Sequence, residues 1–137
     1  MRPESLVEVV DAGRSSIWMP LAEFMDEFYM RHGLLDDQQA MIDDEPARTD
    51  DPVVDGFIAA VAEHLALRWG LETPRWTGHP QRLGPDLPYF HIDSPATRGQ
   101  YLIESPYPFK RRNIFINREP LQRARWPKGE SKTPALF

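Results

Sequence analysis

One segment, residues 52–69, constrains the fold more than any other part of the chain. Its apolar residues recur at steps of three and four, the spacing of an α-helix, with small alanines between them. Asp51 and Pro52 suit the N-cap and first turn of a helix, and Gly70 suits its end. We predict a central core helix about 27 Å long, whose alanines let neighbouring elements approach closely. The larger apolar positions are Val54, Phe57, Ile58, Val61, Leu65 and Trp69.

Helical spacing and helix-ending residues predict further elements on both sides of this segment. A wide apolar stripe over 18–31 predicts a helix that Gly33 stops. A short acidic helix over 36–45 is predicted to turn Ala40 and Met41 inward. Other helices are predicted over 3–12, over 95–105 after the cap Ser94, and over 118–125 with Leu121 inward, and a short strand is predicted over 113–116.

Prolines distinguish the second half of the chain, since most of the 14 lie between residues 74 and 134. They predict an irregular wrap over 71–88 in place of regular structure. The predicted fold class is mainly α, with four or five helices around the central helix, the proline-rich wrap and a short strand near the C-terminus. We expect one domain over 1–126 and a flexible tail over 127–137. The predicted apolar anchors of the wrap are Leu71, Trp76, Leu83 and Leu87.

The net charge of −5 conceals an asymmetry between the two halves of the chain. Residues 1–66 carry 4 arginines and 15 acids, whereas residues 67–137 carry 12 basic and 6 acidic residues. An acidic half attracts basic partners. Three acids on the outer side of the 18–31 helix, Glu23, Asp26 and Glu27, are therefore predicted to bind a partner. The alternative is that the two halves complement each other within one fold.

Composition also excludes several classes of protein. The absence of cysteine excludes disulfides, thiol catalysis and cysteine-based zinc sites, and fits a cytoplasmic location. No apolar run approaches the roughly 18–20 residues that a membrane helix needs. Residues 1–15 contain three acids, which a signal peptide lacks. We expect a soluble protein without a membrane segment.

The densest basic cluster, Lys110-Arg111-Arg112, follows two aromatic residues, Tyr107 and Phe109. It has three interpretations. It is a solvated turn, a docking patch for a partner, or a contact for nucleic acid in which cations hold phosphate and an aromatic ring stacks on a base. Arginine beside aromatic residues is typical of interaction hot spots, so we predict that these five residues bind a partner.

Part of this stretch is predicted to serve the fold. Glu104 lies near the end of an apolar helix, six residues before the cations, and is predicted to pair with Arg111 or Arg112. One or two of the three cations then remain for a partner. The apolar residues predicted to reach the core are Phe109, Ile114 and Phe115.

Catalytic and metal-binding patterns are weak in this sequence. His91 and Asp93, with Glu104, offer the only acid–base set that supports a hydrolase or transferase hypothesis. The other histidines lack the spacing of metal ligands, and the acids between residues 43 and 51 lack the ligand pattern of a calcium loop. We therefore expect no metal, no cofactor and no catalytic residue.

Several motifs resemble those of small bacterial antitoxin-like proteins. They are the residues 61–66 and 70–77 on either side of the end of the long helix, then 104–106, 109–116 and 121–124. The resemblance covers about residues 18–125. Proteins of this kind often carry a helix-turn-helix domain, and their gene commonly lies beside that of a nucleotidyltransferase-like toxin. Only about 15 residues precede Trp18, so we expect no such DNA-binding domain here.

The resemblance implies a non-enzymatic, antitoxin-like interaction protein that binds and restrains a partner nucleotidyltransferase-like enzyme. In this hypothesis the acidic face of residues 23–55 mimics phosphate and covers a basic active site. Two alternatives stay open. One is a nucleic-acid-binding transcriptional regulator that uses residues 110–112, and the other is a small hydrolase or transferase. The sequence leaves the oligomeric state open.

Overall fold

The long apolar segment forms a single helix over Pro52–Trp69, with the predicted boundaries. The Asp51 carboxylate caps it by accepting the Val53 N–H at 2.9 Å. Gly70 ends it in the left-handed conformation, with a φ of 76°. Fourteen of its 18 residues are buried, so the helix has almost no solvent face and is the core element around which the others pack.

The computed structural model describes residues 2–13, 15–124 and 126–127. These residues form a mainly helical fold with a two-stranded sheet near the C-terminus, so the predicted fold class is confirmed. The predicted tail lies almost wholly outside the described residues. The elements are α1 (Leu6–Ala12), α2 (Trp18–Met30), α3 (Leu35–Asp43), α4 (Pro52–Trp69), β1 (Tyr89–Phe90), α5 (Pro95–Glu104), α6 (Tyr107–Lys110) and β2 (Ile114–Phe115).

Helix α1 packs on α2, and α2 meets α4 through aromatic pairs such as Tyr29 and Trp69, whose ring centroids lie 5.9 Å apart. Apolar residues at helical spacing in α2, such as Phe24 and Phe28, are fully buried. Helix α3 buries Met41 as predicted, but Ala40 faces solvent. A helix turns by 100° per residue, so a face centred on Gln38, Met41 and Ile42 directs Ala40 outward.

The proline-rich segment forms two short 3-10 turns, Arg75–Gly78 and Pro80–Arg82, which pack on α4. Of its predicted anchors, Trp76 is half-buried and donates its indole N–H to the Ile42 carbonyl at 3.2 Å. Leu83 and Leu87 are exposed, so their predicted anchoring role is wrong. The segment also places a fully buried arginine, Arg82, against the Asp55 carbonyl of α4.

The two strands pair in parallel, with Tyr89 opposite Ile114 and Phe90 opposite Phe115. Just before β2, the chain passes so close to Gly84 that a β-carbon on this glycine would overlap the Arg112 carbonyl oxygen. The predicted burial of Ile114 and Phe115 is confirmed. The close approach of the Arg112 carbonyl explains why only glycine fits at position 84, where φ is also positive at 86°.

The described part of the predicted 118–125 helix, residues 118–124, forms turns, so that helix is wrong. Pro120 interrupts the segment and has no N–H to donate to a helix. The Leu121 carbonyl accepts the Tyr29 hydroxyl at 2.8 Å, which anchors the turn to α2. Leu121 itself is buried, as predicted.

Candidate partner-binding surfaces

The basic cluster lies on and just after the short helix α6, which begins with Pro106 at its N-cap and Pro108 in its first turn. The turn of the chain sends Phe109 and Arg112 inward, while Tyr107 faces solvent. Phe109 packs against two rings of α4, Phe57 at 5.3 Å and His64 at 5.7 Å between centroids. Phe109 therefore belongs to the core, which confirms its predicted burial and removes it from the predicted partner-binding residues.

Arg112 is fully buried, which contradicts its predicted place on a partner-binding surface. Its guanidinium donates to the Glu63 carboxylate and to the carbonyls of Pro108 and Thr77 at 2.8 Å and of Arg82 at 2.9 Å. Desolvation lowers the pKa of Arg112, and the bond to Glu63 opposes this shift. An arginine stays charged in such a site, so these four bonds hold a buried cation.

Arg111 and Arg112 share one carboxylate, Glu63 of α4. Arg111 donates to Glu63 Oε2 at 3.0 Å, and its guanidinium lies 5.8 Å from the centroid of the Tyr107 ring. The predicted pairing of these arginines with Glu104 is wrong. Glu104 accepts instead from Gln100 at 3.0 Å and lies 3.5 Å from Arg118. Nothing in the local sequence distinguishes Glu63 from other acids, because its partners follow 48 and 49 residues later.

Arg82 is a second buried arginine, and no motif in the sequence indicates its burial. It donates to Glu45 at 3.2 Å, to the Pro46 carbonyl at 2.6 Å and to the Asp55 carbonyl at 3.3 Å. Its guanidinium lies 5.0 Å from the centroid of the Trp76 ring. Two buried arginines of the basic half thus bind acids of the acidic half, which supports the alternative that the halves complement each other.

Little of the basic cluster is left at the surface. Lys110 donates to the Ile103 carbonyl at 3.3 Å, and Tyr107 is exposed. Tyr107, Lys110 and Arg111 are the cluster residues that solvent reaches. Beside them, the C-terminal half of α5 exposes Leu102 (50%) and Ile103 (72%).

The acids predicted on α2 are mostly neutralised by the chain itself. Arg123 binds the Asp26 carboxylate with two hydrogen bonds, of 2.9 and 3.0 Å. Glu27 pairs with Arg31 at 3.0 Å and lies 3.6 Å from Arg2. Glu23 forms no ion pair with any residue that the structure describes. Because these ion pairs neutralise Asp26 and Glu27, α2 attracts a basic partner less strongly than its sequence indicates.

Helix α3 carries an acidic surface whose carboxylates form no ion pair with the described residues. Asp36, Asp37, Asp43 and Asp44 lie on its solvent side around Ala40, and we call these five residues the acidic α3 surface. No arginine, lysine or histidine of the described ranges pairs with these four acids. Asp43 accepts a hydrogen bond from the uncharged side-chain amide of Gln39 at 2.8 Å. Two exposed leucines, Leu34 (55%) and Leu35 (52%), adjoin the surface at its N-terminal end.

The residues of the hydrolase hypothesis are engaged separately. The His91 ring packs on Trp18, with centroids 4.9 Å apart. Arg98 holds Asp93 in a bidentate pair and so lowers the pKa of that carboxyl. Glu104 contacts Gln100 and Arg118, as described above. Among the described residues, no hydrogen bond joins any two of these three candidates.

His64 is the most unusual histidine, because it is buried within α4. Desolvation, with a smaller contribution from Arg68, lowers its pKa from 6.5 to about 3. Its Nδ1 has no hydrogen-bond partner in the described part of the chain. A neutral ring packed edge-on against Phe109 is a core residue. Residues 2–13, 15–124 and 126–127 contain no group of three or more acids and histidines that could hold a metal ion.

Among the described residues, no helix is both long enough and apolar enough to cross a bilayer. Comparison with known proteins adds no relative to this description. No protein-family model, curated protein sequence or solved structure matches this chain.

Proposed function

We propose that this chain is a non-enzymatic, antitoxin-like protein that binds and restrains a nucleotidyltransferase-like enzyme. The resemblance of residues 18–125 to antitoxin-like proteins supplies the class of partner. The acidic α3 surface supplies a means of recognition. An enzyme that transfers nucleotides binds phosphate groups with cations, and a row of carboxylates presents a similar array of negative charge.

The observation that carries the proposal is the contrast between two acidic helices. The carboxylates of α2 are largely bound by arginines of the same chain, whereas those of α3 have no cation among the described residues. Asp43 and Asp44 lie at the C-terminal end of α3, where the helix dipole disfavours negative charge. A basic partner supplies the missing cation there, and Leu34 and Leu35 add apolar contact at the other end.

The hydrolase alternative has less support, because its three candidate residues are held apart by separate partners. The nucleic-acid alternative loses one of its three cations, since Arg112 is buried. Arg111 is also partly neutralised by Glu63. Two cations in an acidic protein bind a phosphate backbone only weakly, because the affinity rises with the number of phosphate contacts.

The test is co-expression with the nucleotidyltransferase-like protein that the resemblance places in the adjacent gene. We expect the two chains to co-elute at micromolar concentrations, with an affinity that falls as salt rises. The triple variant Asp36→Asn, Asp37→Asn and Asp44→Asn is expected to weaken the complex by about tenfold or more. Asp43 is left unchanged, because it accepts a hydrogen bond from Gln39.

A control with the same change in net charge separates the surface from general electrostatics. The variant Asp11→Asn, Glu72→Gln and Asp86→Asn also removes three exposed carboxylates, all of them outside α3. It is expected to bind nearly as well as the unaltered chain. Absence of a complex, or equal loss of affinity in both triple variants, contradicts the proposed function.

A further inference from the structure

A cavity of about 260 Å³ lies between the segment that joins α1 to α2, the first turns of α4, and β1. Three aromatic side chains line it, those of Trp18, Phe57 and Tyr89. Its lining also includes polar side chains, those of Ser15, Ser16 and Asp51. The cavity therefore combines aromatic rings with acceptors of hydrogen bonds, and the proposed function does not use it. No residue of α3, all of which the structure describes, lines this cavity.

Trp18 is held in place, yet much of it remains accessible. Its ring packs edge-to-face against Phe57, with centroids 5.1 Å apart, and against His91 at 4.9 Å. Even so, 45% of Trp18 is exposed to solvent. The face of an aromatic ring attracts a cation that lies within about 6 Å of its centroid, and tryptophan attracts it most strongly. A fixed and accessible indole is thus a surface that suits a cationic group.

The charges around the cavity also favour a cation. Asp51 accepts the Val53 N–H at 2.9 Å, so its carboxylate already occupies the end of α4 where an anion would bind. A second cavity, of about 600 Å³, adjoins the first and is lined by both Asp50 and Asp51. Neither acid forms an ion pair with any residue that the structure describes. A cation bound here gains the attraction of two unpaired carboxylates.

The polar lining distinguishes among organic cations. A quaternary ammonium has no N–H group, so it leaves the Ser15 hydroxyl and the Asp51 carboxylate without a donor. A primary ammonium has donors but is strongly hydrated. A guanidinium is planar and more weakly hydrated, stacks on aromatic rings and donates two parallel hydrogen bonds to a carboxylate. It is the cation that uses both the ring of Trp18 and the carboxylate of Asp51.

We propose that this cavity is a binding site for a guanidinium group, to which Trp18 supplies the ring and Asp51 the carboxylate. An arginine residue of a polypeptide and a free guanidinium compound share this chemistry. The volume of about 260 Å³ lies below the roughly 300–1,000 Å³ of sites for drug-sized ligands, so it suits a side chain. Asp50 and Asp51 repel the carboxylate that free arginine carries, which favours the arginine residue.

An NMR titration of the full chain with N-acetyl-arginine amide provides the test. We expect the indole N–H resonance of Trp18 to shift in a saturable way. The dissociation constant is expected in the millimolar range, because one cation–π contact and one ion pair contribute modestly. N-acetyl-citrulline amide, an uncharged compound of the same shape, is expected to bind about tenfold more weakly. An unshifted Trp18 resonance, or equal affinity for the two compounds, overturns the proposal.

Free arginine, titrated in the same way, distinguishes the two sources of the guanidinium. Tighter binding of N-acetyl-arginine amide indicates an arginine residue of a polypeptide, whereas tighter binding of free arginine indicates a free guanidinium compound. Both orders agree with a guanidinium site. Equal affinity for N-acetyl-lysine amide and N-acetyl-arginine amide contradicts it, because a site for any cation does not distinguish the planar group.

Asp51→Asn removes the charge of Asp51 and keeps its cap, since asparagine is as good an N-cap residue as aspartate. We expect a nearly unchanged melting temperature and an affinity for N-acetyl-arginine amide that falls about fivefold or more. Glu72→Gln is the matched control, because it also removes one exposed carboxylate but lies outside both cavities. Its affinity is expected to stay within about twofold of the unaltered chain. Equal losses in the two variants overturn the proposal.

Two substitutions of Trp18 test the contribution of the ring. Trp18→Leu is expected to weaken binding about tenfold, whereas Trp18→Phe keeps an aromatic face and retains part of the affinity. Thermal unfolding of both variants checks that the fold persists. Equal affinity in the leucine and phenylalanine variants contradicts a role for the ring. All these measurements use the chain by itself, so their failure leaves the proposed enzyme complex untouched.

Discussion

The guanidinium of Arg112 and the carboxylate of Glu63 form an ion pair inside the protein, and Arg112 is inaccessible to solvent. Arg111 binds the other oxygen of the same carboxylate from a half-exposed position. The two arginines are adjacent in sequence and bind the same acid, yet their environments differ. They therefore provide a matched pair for measuring what burial does to an ion pair.

Arg112→Ala is expected to lower the free energy of unfolding by about 3–5 kcal/mol, because it leaves a largely buried carboxylate without its main partner. Arg111→Ala is expected to lower it by about 0–1 kcal/mol, since exposed pairs contribute little. Arg112→Lys does not restore stability, because an ammonium cannot reach four separated acceptors. Urea denaturation measures all three variants, and equal losses at positions 111 and 112 would argue against this account.

Gly84→Ala is expected to destabilise the protein by about 2–5 kcal/mol. The added carbon overlaps the Arg112 carbonyl, and the φ of 86° is unfavourable for alanine. Gly78→Ala is the control, because a β-carbon there would meet nothing within 4 Å. Its effect is expected within about 0.5 kcal/mol. Thermal unfolding compares the two, and a mild effect at position 84 would show that the loop can move aside.

The buried His64 predicts a loss of stability in acid. Its folded-state pKa of about 3 lies below its ordinary value of 6.5, so the unfolded chain takes up a proton at this site first. The stabilisation is complete above pH 6.5 and is lost as pH falls towards 3, by about 1.4 kcal/mol per pH unit. Stability curves between pH 7 and pH 4 are expected to be steeper for the unaltered chain than for His64→Gln. In NMR spectra, a His64 ring that titrates near pH 6 would refute this prediction.

Glu119 is expected to hold the C-terminal turn against α4. Its carboxylate accepts two hydrogen bonds from Arg68, of 2.6 and 3.1 Å, at a nearly buried site. Glu119→Ala is expected to cost about 1–3 kcal/mol. Glu104→Ala, which breaks a more exposed pair with Arg118, is expected to cost less than about 1 kcal/mol. Hydrogen exchange should rise around residue 121 in the first variant, and unchanged protection there would count against this role.

The elements that the sequence predicted correctly are those whose signals are local. Asp51-Pro52 and Ser94-Pro95 combine a capping side chain with a proline that fits a first turn, and both begin helices at the predicted residue. Gly70 ends α4 for an equally local reason. Residues 118–125 have a helix-like pattern in the sequence, but distant contacts fix the conformation of residues 119 and 121. Arg68 binds Glu119, and Tyr29 donates to the Leu121 carbonyl.

The candidate site was harder to predict, because its residues are sorted by contacts across the chain. Lys110, Arg111 and Arg112 look alike in sequence, and Glu63 of α4 binds both arginines. The backbone carbonyls of Thr77 and Arg82, which accept only from Arg112, distinguish the buried arginine. Arg82 gave no signal at all, since its acceptors include two backbone carbonyls. Hydropathy patterns describe faces of single elements, whereas all but one of the partners of Arg82 and Arg112 lie 27 to 49 residues away.

The long sequence separation between Glu63 and its arginines has a consequence for synthesis on the ribosome. Chains are made and begin to fold from the N-terminus, and Glu63 is added 48 and 49 residues before Arg111 and Arg112. While those residues are missing, the carboxylate must stay hydrated, and water keeps access to that side of α4. The nascent chain can therefore form its central helix early, but it closes its interior only after residue 112 has emerged from the ribosome.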